Sequence, residues 1–255
     1  MDFIDNIRNS IDFFLRNNIT LSRKNYSEKA ESINKTSFSD KQKEILNRIN
    51  EIYDLRLIQN STNFNFLMNL YYIILFDKYL SKNSSDNISI LDIGSKNWEY
   101  VKSEYLFFNS FSKQTYLTGI ELDAYRLCTN LYNRYEIAKF HSKDLPNTNY
   151  IAGDFLNHNK KYDYIIWILP FITKYPLIKW GLPLKYFKPK EMLKHAYNLL
   201  NNGGELLIIN QGEEEYKIQQ NLNKDLELKA EYYGLIEDFF DTYKNKRFCS
   251  KIVKK

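Results

Sequence analysis

The sequence predicts a doubly wound α/β fold with a mostly parallel, seven-stranded sheet, an antiparallel hairpin at its C-terminal end and a helical N-terminal extension. Three observations lead there. From residue 88 onward, short apolar runs alternate with helical stretches. Those runs are continuous rather than alternating, as expected of strands buried on both faces. The last two runs, residues 228–237 and 247–254, follow each other without an intervening helix.

The N-terminal 80 residues read as helices. Phe3, Ile7, Ile11 and Phe14 recur at helical spacing, and Ser39 with Gln42 resembles a capping box ahead of an apolar stripe through Ile45, Leu46, Ile49, Ile52 and Tyr53. Residues 19–38 between them are polar and mixed, which suggests a loop or mobile link. Residues 63–80 are apolar nearly all round, the mark of a buried helix. We therefore expect an extension over 1–80 and an α/β domain over 88–255.

Within that domain, strands are expected at 88–92, 116–121, 149–154, 162–169 and 205–210. Helices are expected at 98–112, 123–142, 188–201 and 213–224. The two C-terminal runs would be strands joined by a short polar turn. The segment 171–189, between the fourth strand and its helix, is too long for a routine connection and is rich in proline and aromatic residues. It reads as a lid or the wall of a substrate pocket.

Composition narrows the function classes. Lys and Arg (36) exceed Asp and Glu (31) by 36 − 31 = 5, which permits a nucleic-acid partner without arguing for one. The abundant Tyr (21) and Phe (17) read as the compositional bias of an AT-rich genome rather than as base-stacking surfaces. Cys128, expected in a helix, and Cys249, expected in a strand, form no CxxC pair and read as reduced packing residues of a cytoplasmic protein. The start carries early acids and no long apolar core, unlike a signal peptide. The most apolar run, Leu70 to Phe76, is too short to span a bilayer. His141, His158 and His195 have no metal-ligand spacing among themselves, which argues against a metal site.

In an open parallel sheet, ligands bind beyond the carboxyl ends of the strands. The chain offers an ordered set of groups there: Asp92 and Gly94, then Glu121 and Asp123, then Asp154, then Trp167 and Pro170. Carboxylates at strand ends suit the paired hydroxyls of a ribose and the exocyclic amine of adenine. Neither GxxxxGK[ST] nor a full GxGxxG is present, which counts against nucleoside triphosphates and dinucleotides.

Those residues resemble the class I S-adenosylmethionine-dependent methyltransferases, a Rossmann-like family. ILDIGS (90–95) is similar to their first motif, TGIELD (118–123) to the second, AGDF (152–155) to the third, YDYIIWILPF (162–171) to the fourth, and LLNNGGELLIIN (199–210) to the entry of strand five. The resemblance implies S-adenosylmethionine as cofactor and direct displacement at its sulfonium methyl. It implies cofactor-binding roles for Asp92, Gly94, Ser95, Lys96, Trp98, Glu121, Leu122, Asp154, Phe155 and Trp167. Asp92 would hold the methionine end, Glu121 the ribose and Asp154 the adenine. Pro170, Tyr175 and Trp180 would meet the acceptor, most readily a small molecule. The sequence departs from the family where Lys96 and Trp98 replace the second and third glycines of Gly-x-Gly-x-Gly. The fourth motif also lacks the polar residue and Pro-Pro of nucleic-acid amino methylation. An alternative reading is therefore a binding module that has lost its cofactor.

Overall fold

The computed structural model describes residues 2–19, 26–31 and 38–255. Four helices come first: α1 (Asp2–Asn18), α2 (Asp40–Ile52), α3 (Arg56–Gln59) and α4 (Asn63–Tyr79). Then follow β1 (Ser85–Ile93), α5 (Val101–Asn109), β2 (Ser112–Glu121), α6 (Arg134–Ser142), β3 (Thr148–Ala152) and β4 (Tyr162–Ile168). The chain ends with α7 (Lys174–Lys179), α8 (Pro189–Leu199), β5 (Leu200–Gln211), α9 (Gly212–Asp225), β6 (Ala230–Leu235) and β7 (Arg247–Val253).

The seven strands lie in the order β3-β2-β1-β4-β5-β7-β6. Strands β1 to β5 pair in parallel, and β7 runs antiparallel to both β5 and β6. The order reverses between β1 and β4, so the switch point falls at the ends of those two strands. This is the expected doubly wound sheet with its C-terminal hairpin. Within the hairpin, β7 inserts between β5 and β6, and β6 takes the edge. Its connection is not a short polar turn either. It runs from 236 to 246 and buries Ile236 and Phe240. Phe240 meets Phe38, and Tyr243 lies under the Arg247 guanidinium at 3.3 Å. Apolar anchors lengthen the loop because they fasten it to the helical layer.

The capping box forms as expected, with Ser39 accepting from the Gln42 backbone N–H and Gln42 accepting from the Ser39 N–H. Helix α4 is buried along nearly its whole length and belongs to one hydrophobic cluster with α2, α5 and one face of the sheet. A second cluster fills the opposite face beneath α8.

Two expectations differ from the structure. The helix expected over 123–142 begins only at Arg134; residues 123–133 form turns closed by a bridge between Leu127 and Asn133. Asn133 supplies the N-cap and a capping box with Glu136, which sets the later start. Cys128 consequently lies in this turn region rather than in a helix. Helix α1 forms, but its apolar stripe faces out, with Phe3 76% and Phe14 63% exposed. Its polar side packs instead, as Asn9 donates to the carbonyls of Ile178 and Leu182 and Asn6 accepts from the Leu184 N–H. Of the expected link over 19–38, residues 26–31 run without regular structure, and 20–25 and 32–37 lie outside the described residues.

Candidate functional site

A cavity opens at the carboxyl ends of β1 to β4, beneath the segment 171–188. Its floor begins with the loop after β1. Gly94 takes φ +69°, Lys96 +53° and Trp98 +47°, so every second residue is left-handed. Gly94 and Ser95 anchor the loop by donating their N–H groups to the Ile120 carbonyl. Leu169, at the end of β4, also has positive φ at +56°. A side chain at left-handed φ costs roughly 1–2 kcal/mol per residue. Backbone strain of this kind collects at functional sites. Lys96 and Leu169 both line the cavity.

Trp98 and Asp92 turn the other way, into the core. Trp98 is fully buried and its indole N–H donates to Glu104 at 2.9 Å. The Tyr100 hydroxyl donates to Asp92 at 2.8 Å. Asp92 and Glu104 face each other within this layer, and burial followed by the charge of Glu121 raises the Asp92 carboxyl to about 7. Two buried carboxyls so close favour sharing one proton. The Trp98 ring fits only because residue 119 is glycine. A Cβ there would lie 2.9 Å from Ser95 Oγ and 3.0 Å from the ring.

Glu121 ends β2 and lines the cavity. It accepts from the Lys96 N–H at 2.9 Å, the Asp123 N–H at 2.8 Å and the Arg134 guanidinium at 3.1 Å. Both members of the Glu121–Arg134 pair are buried. Two of these bonds fall on Oε1 and one on Oε2, so the carboxylate retains an acceptor position on Oε2. Asp123 is held by Arg16 of α1 at 2.5 and 3.1 Å. Burial nevertheless raises its carboxyl. Asp154 follows β3, and its Oδ1 caps the 3-10 turn Phe155–Asn157 by accepting from the Leu156 N–H.

The roof is aromatic. Lys96 Nζ lies 4.7 Å from the Trp180 ring centroid, and the Arg134 guanidinium carbon 5.4 Å from it. Burial, then the Arg134 charge, lowers the Lys96 ammonium to about 8. Arg126 donates to the Trp180 carbonyl, and Arg16 donates to the Gly181 carbonyl at 2.8 Å. Helix α1 and the turn after β2 thus hold the roof from outside.

Of the residues singled out from the sequence, Gly94, Lys96, Glu121, Leu122, Asp154, Phe155, Trp167, Pro170 and Trp180 line this cavity. Asp92, Ser95 and Trp98 are buried behind it, and Tyr175 lies on the outer side of the roof, 68% exposed. The sequence reading passed over Arg134 and Met192 as lining residues. A basic residue in the first turn of the helix that follows β2 would have been the signal for Arg134. Reading 123–142 as one helix hid that position.

No family model matches the sequence, and no curated protein matches it. Among solved structures, the chain is similar to a methyltransferase from Pyrococcus furiosus, with TM-score 0.51 and 16% identity over 73% of this chain and 82% of that one. It is also similar to TrmN from Thermus thermophilus, with TM-score 0.50 and 13% identity over 73% of this chain. That match spans 49% of TrmN, about half its length. At these identities the likeness establishes the fold alone: the doubly wound arrangement of sheet and helices that these proteins have.

Proposed function

We propose that the chain binds S-adenosylmethionine at the ends of β1 to β4 and transfers its methyl group to a small acceptor under the 171–188 roof. The observation that carries this reading is the backbone of the loop after β1. It keeps left-handed φ at 94, 96 and 98 although two of the three residues are not glycine. That path brings Gly94 and Lys96 to the wall of the cavity, beside Glu121.

The residues fit the cofactor. Glu121 Oε2 offers an acceptor to a ribose hydroxyl with Arg134 in place, and a second position opens when Arg134 withdraws. Asp154 Oδ2 is an acceptor for the adenine amine, and Trp167 and Phe155 supply apolar walls. The bound cofactor supplies an activated methyl with a good leaving group. The protein's part is to align the acceptor and exclude water. Phe171, Leu177, Trp180 and Leu182 make that end of the cavity apolar. The roof above it favours a small molecule over a nucleic-acid strand.

A second reading, a module without cofactor, draws support from one observation: Glu121 is already engaged by Arg134. Calorimetric titration of S-adenosylhomocysteine separates the two. Micromolar binding that Glu121→Ala abolishes supports the enzyme. An absence of heat and of thermal shift at millimolar ligand overturns it.

A further inference from the structure

Glu28, Glu99 and His141 are distant in sequence but meet at one point behind the loop after β1. None of them lines the cavity. Their ligand atoms all lie within 4.8 Å of one another. Each comes from a separately fastened segment. Glu28 lies in the stretch 26–31, where Tyr26 packs edge-on against Tyr132 and Phe140 and Glu31 accepts from the Asn63 N–H. Glu99 follows Trp98, and its carbonyl accepts from the Asn69 amide. His141 sits in the last turn of α6.

The His141 ring is 4% exposed, and its Nε2 has no hydrogen-bond partner. That nitrogen lies 3.4 Å from Glu28 Oε1 without hydrogen-bond geometry. Two donors on a tetrahedral zinc, each about 2.1 Å from the metal, stand about 3.4 Å apart. Glu28 accepts from Tyr26 and from the Asn65 amide, bonds that orient the carboxylate and leave one acceptor position, on Oε2. Two carboxylates and one neutral imidazole balance a divalent cation. A protonated imidazole alone leaves one negative charge in excess.

We infer that Glu28, Glu99 and His141 form a binding site for a divalent transition-metal ion of the zinc type. A mixed imidazole and carboxylate set favours such ions over magnesium or calcium. The ion would fasten the 26–31 segment to the loop after β1 and to α6. It is a structural clasp, independent of the methyltransferase reading.

The test uses the full chain, stripped with chelator and titrated calorimetrically with Zn²⁺. One saturable site is expected. His141→Gln and Glu99→Gln should each weaken it at least tenfold, with far-UV circular dichroism unchanged. The thermal midpoint of the parent chain should rise with Zn²⁺, and those of the variants should not. No saturable binding by the parent chain overturns the inference. So does binding that both variants retain, which would put the ion elsewhere, for example near His158 and His195. If His141→Gln misfolds, Glu99→Gln and Glu28→Gln, both isosteric, decide the matter by the same criteria.

Discussion

The loop after β1 and the end of β2 are joined by hydrogen bonds from the Lys96 N–H to Glu121 and from the Gly94 and Ser95 N–H groups to the Ile120 carbonyl, and they differ in how residue and geometry relate. The loop holds left-handed φ at Lys96 and Trp98, a backbone path that glycine normally serves. The strand end presents an acid, Glu121, that Arg134 already engages. Residue identity and local geometry are therefore separate pieces of evidence. At the loop the left-handed geometry stands without the residues that favour it, and at the strand end the acid stands already paired.

Trp98→Ala breaks the comparison most severely. The ring is fully buried, so its loss should cost about 3–5 kcal/mol in urea denaturation. A loss below about 1 kcal/mol would mean that the loop does not depend on Trp98 as a plug.

Arg134→Met comes next. Removing one partner of a buried ion pair should cost about 3 kcal/mol. The same change frees Glu121, so S-adenosylhomocysteine should bind more tightly, by about tenfold or 1.4 kcal/mol. Weaker binding would make Arg134 a ligand contact rather than a competitor.

Gly119→Ala pushes a methyl against Trp98 and Ser95 and should cost about 1–3 kcal/mol. Combined with Trp98→Ala, that cost should largely vanish, because the ring is then absent. Additive costs would place the strain elsewhere in β2.

Lys96→Gly should have the smallest effect, a gain of about 1 kcal/mol from relieving positive φ. It also carries a pH signature. The Lys96 ammonium falls from 10.5 to about 8 on folding, so between those values the unfolded chain holds the extra proton. Stability of the parent chain should then rise with pH across that window, and the variant should lose that component. Parallel pH profiles for the two proteins would show that Lys96 does not titrate there.

The sheet was legible because parallel strands buried on both faces leave continuous apolar runs, as in ISILD and ELLIIN. The lining role of Glu121 and Asp154 was legible because strand-end carboxylates stand out beside glycine and apolar residues. The inward turn of Asp92 and Trp98 was not. It depends on Glu104, a turn into α5, and on the bare surface of Gly119 on a neighbouring strand. Helix α1 was legible as an amphipathic helix, but not its orientation. Its polar side is the packed one because the roof presents carbonyls to it, and periodicity carries no information about that partner. Glu28, Glu99 and His141 escaped a test of histidine spacing because the fold, not the sequence interval, brings them together.

The grip of α1 on the roof has a consequence for biosynthesis. Asn9 reaches Ile178 and Leu182, 169 and 173 residues downstream. A ribosome adding about 5–20 residues per second takes roughly 10–30 s to cover that distance. Throughout that interval α1 has emerged while its carbonyl partners have not yet been made. Its Phe3, Ile7, Ile11 and Phe14 stripe is exposed throughout and stays exposed after docking, since the polar side is the one that packs. Helix α1 thus leaves the tunnel long before it can dock, and closure of the roof reports that the chain has been translated at least as far as α8.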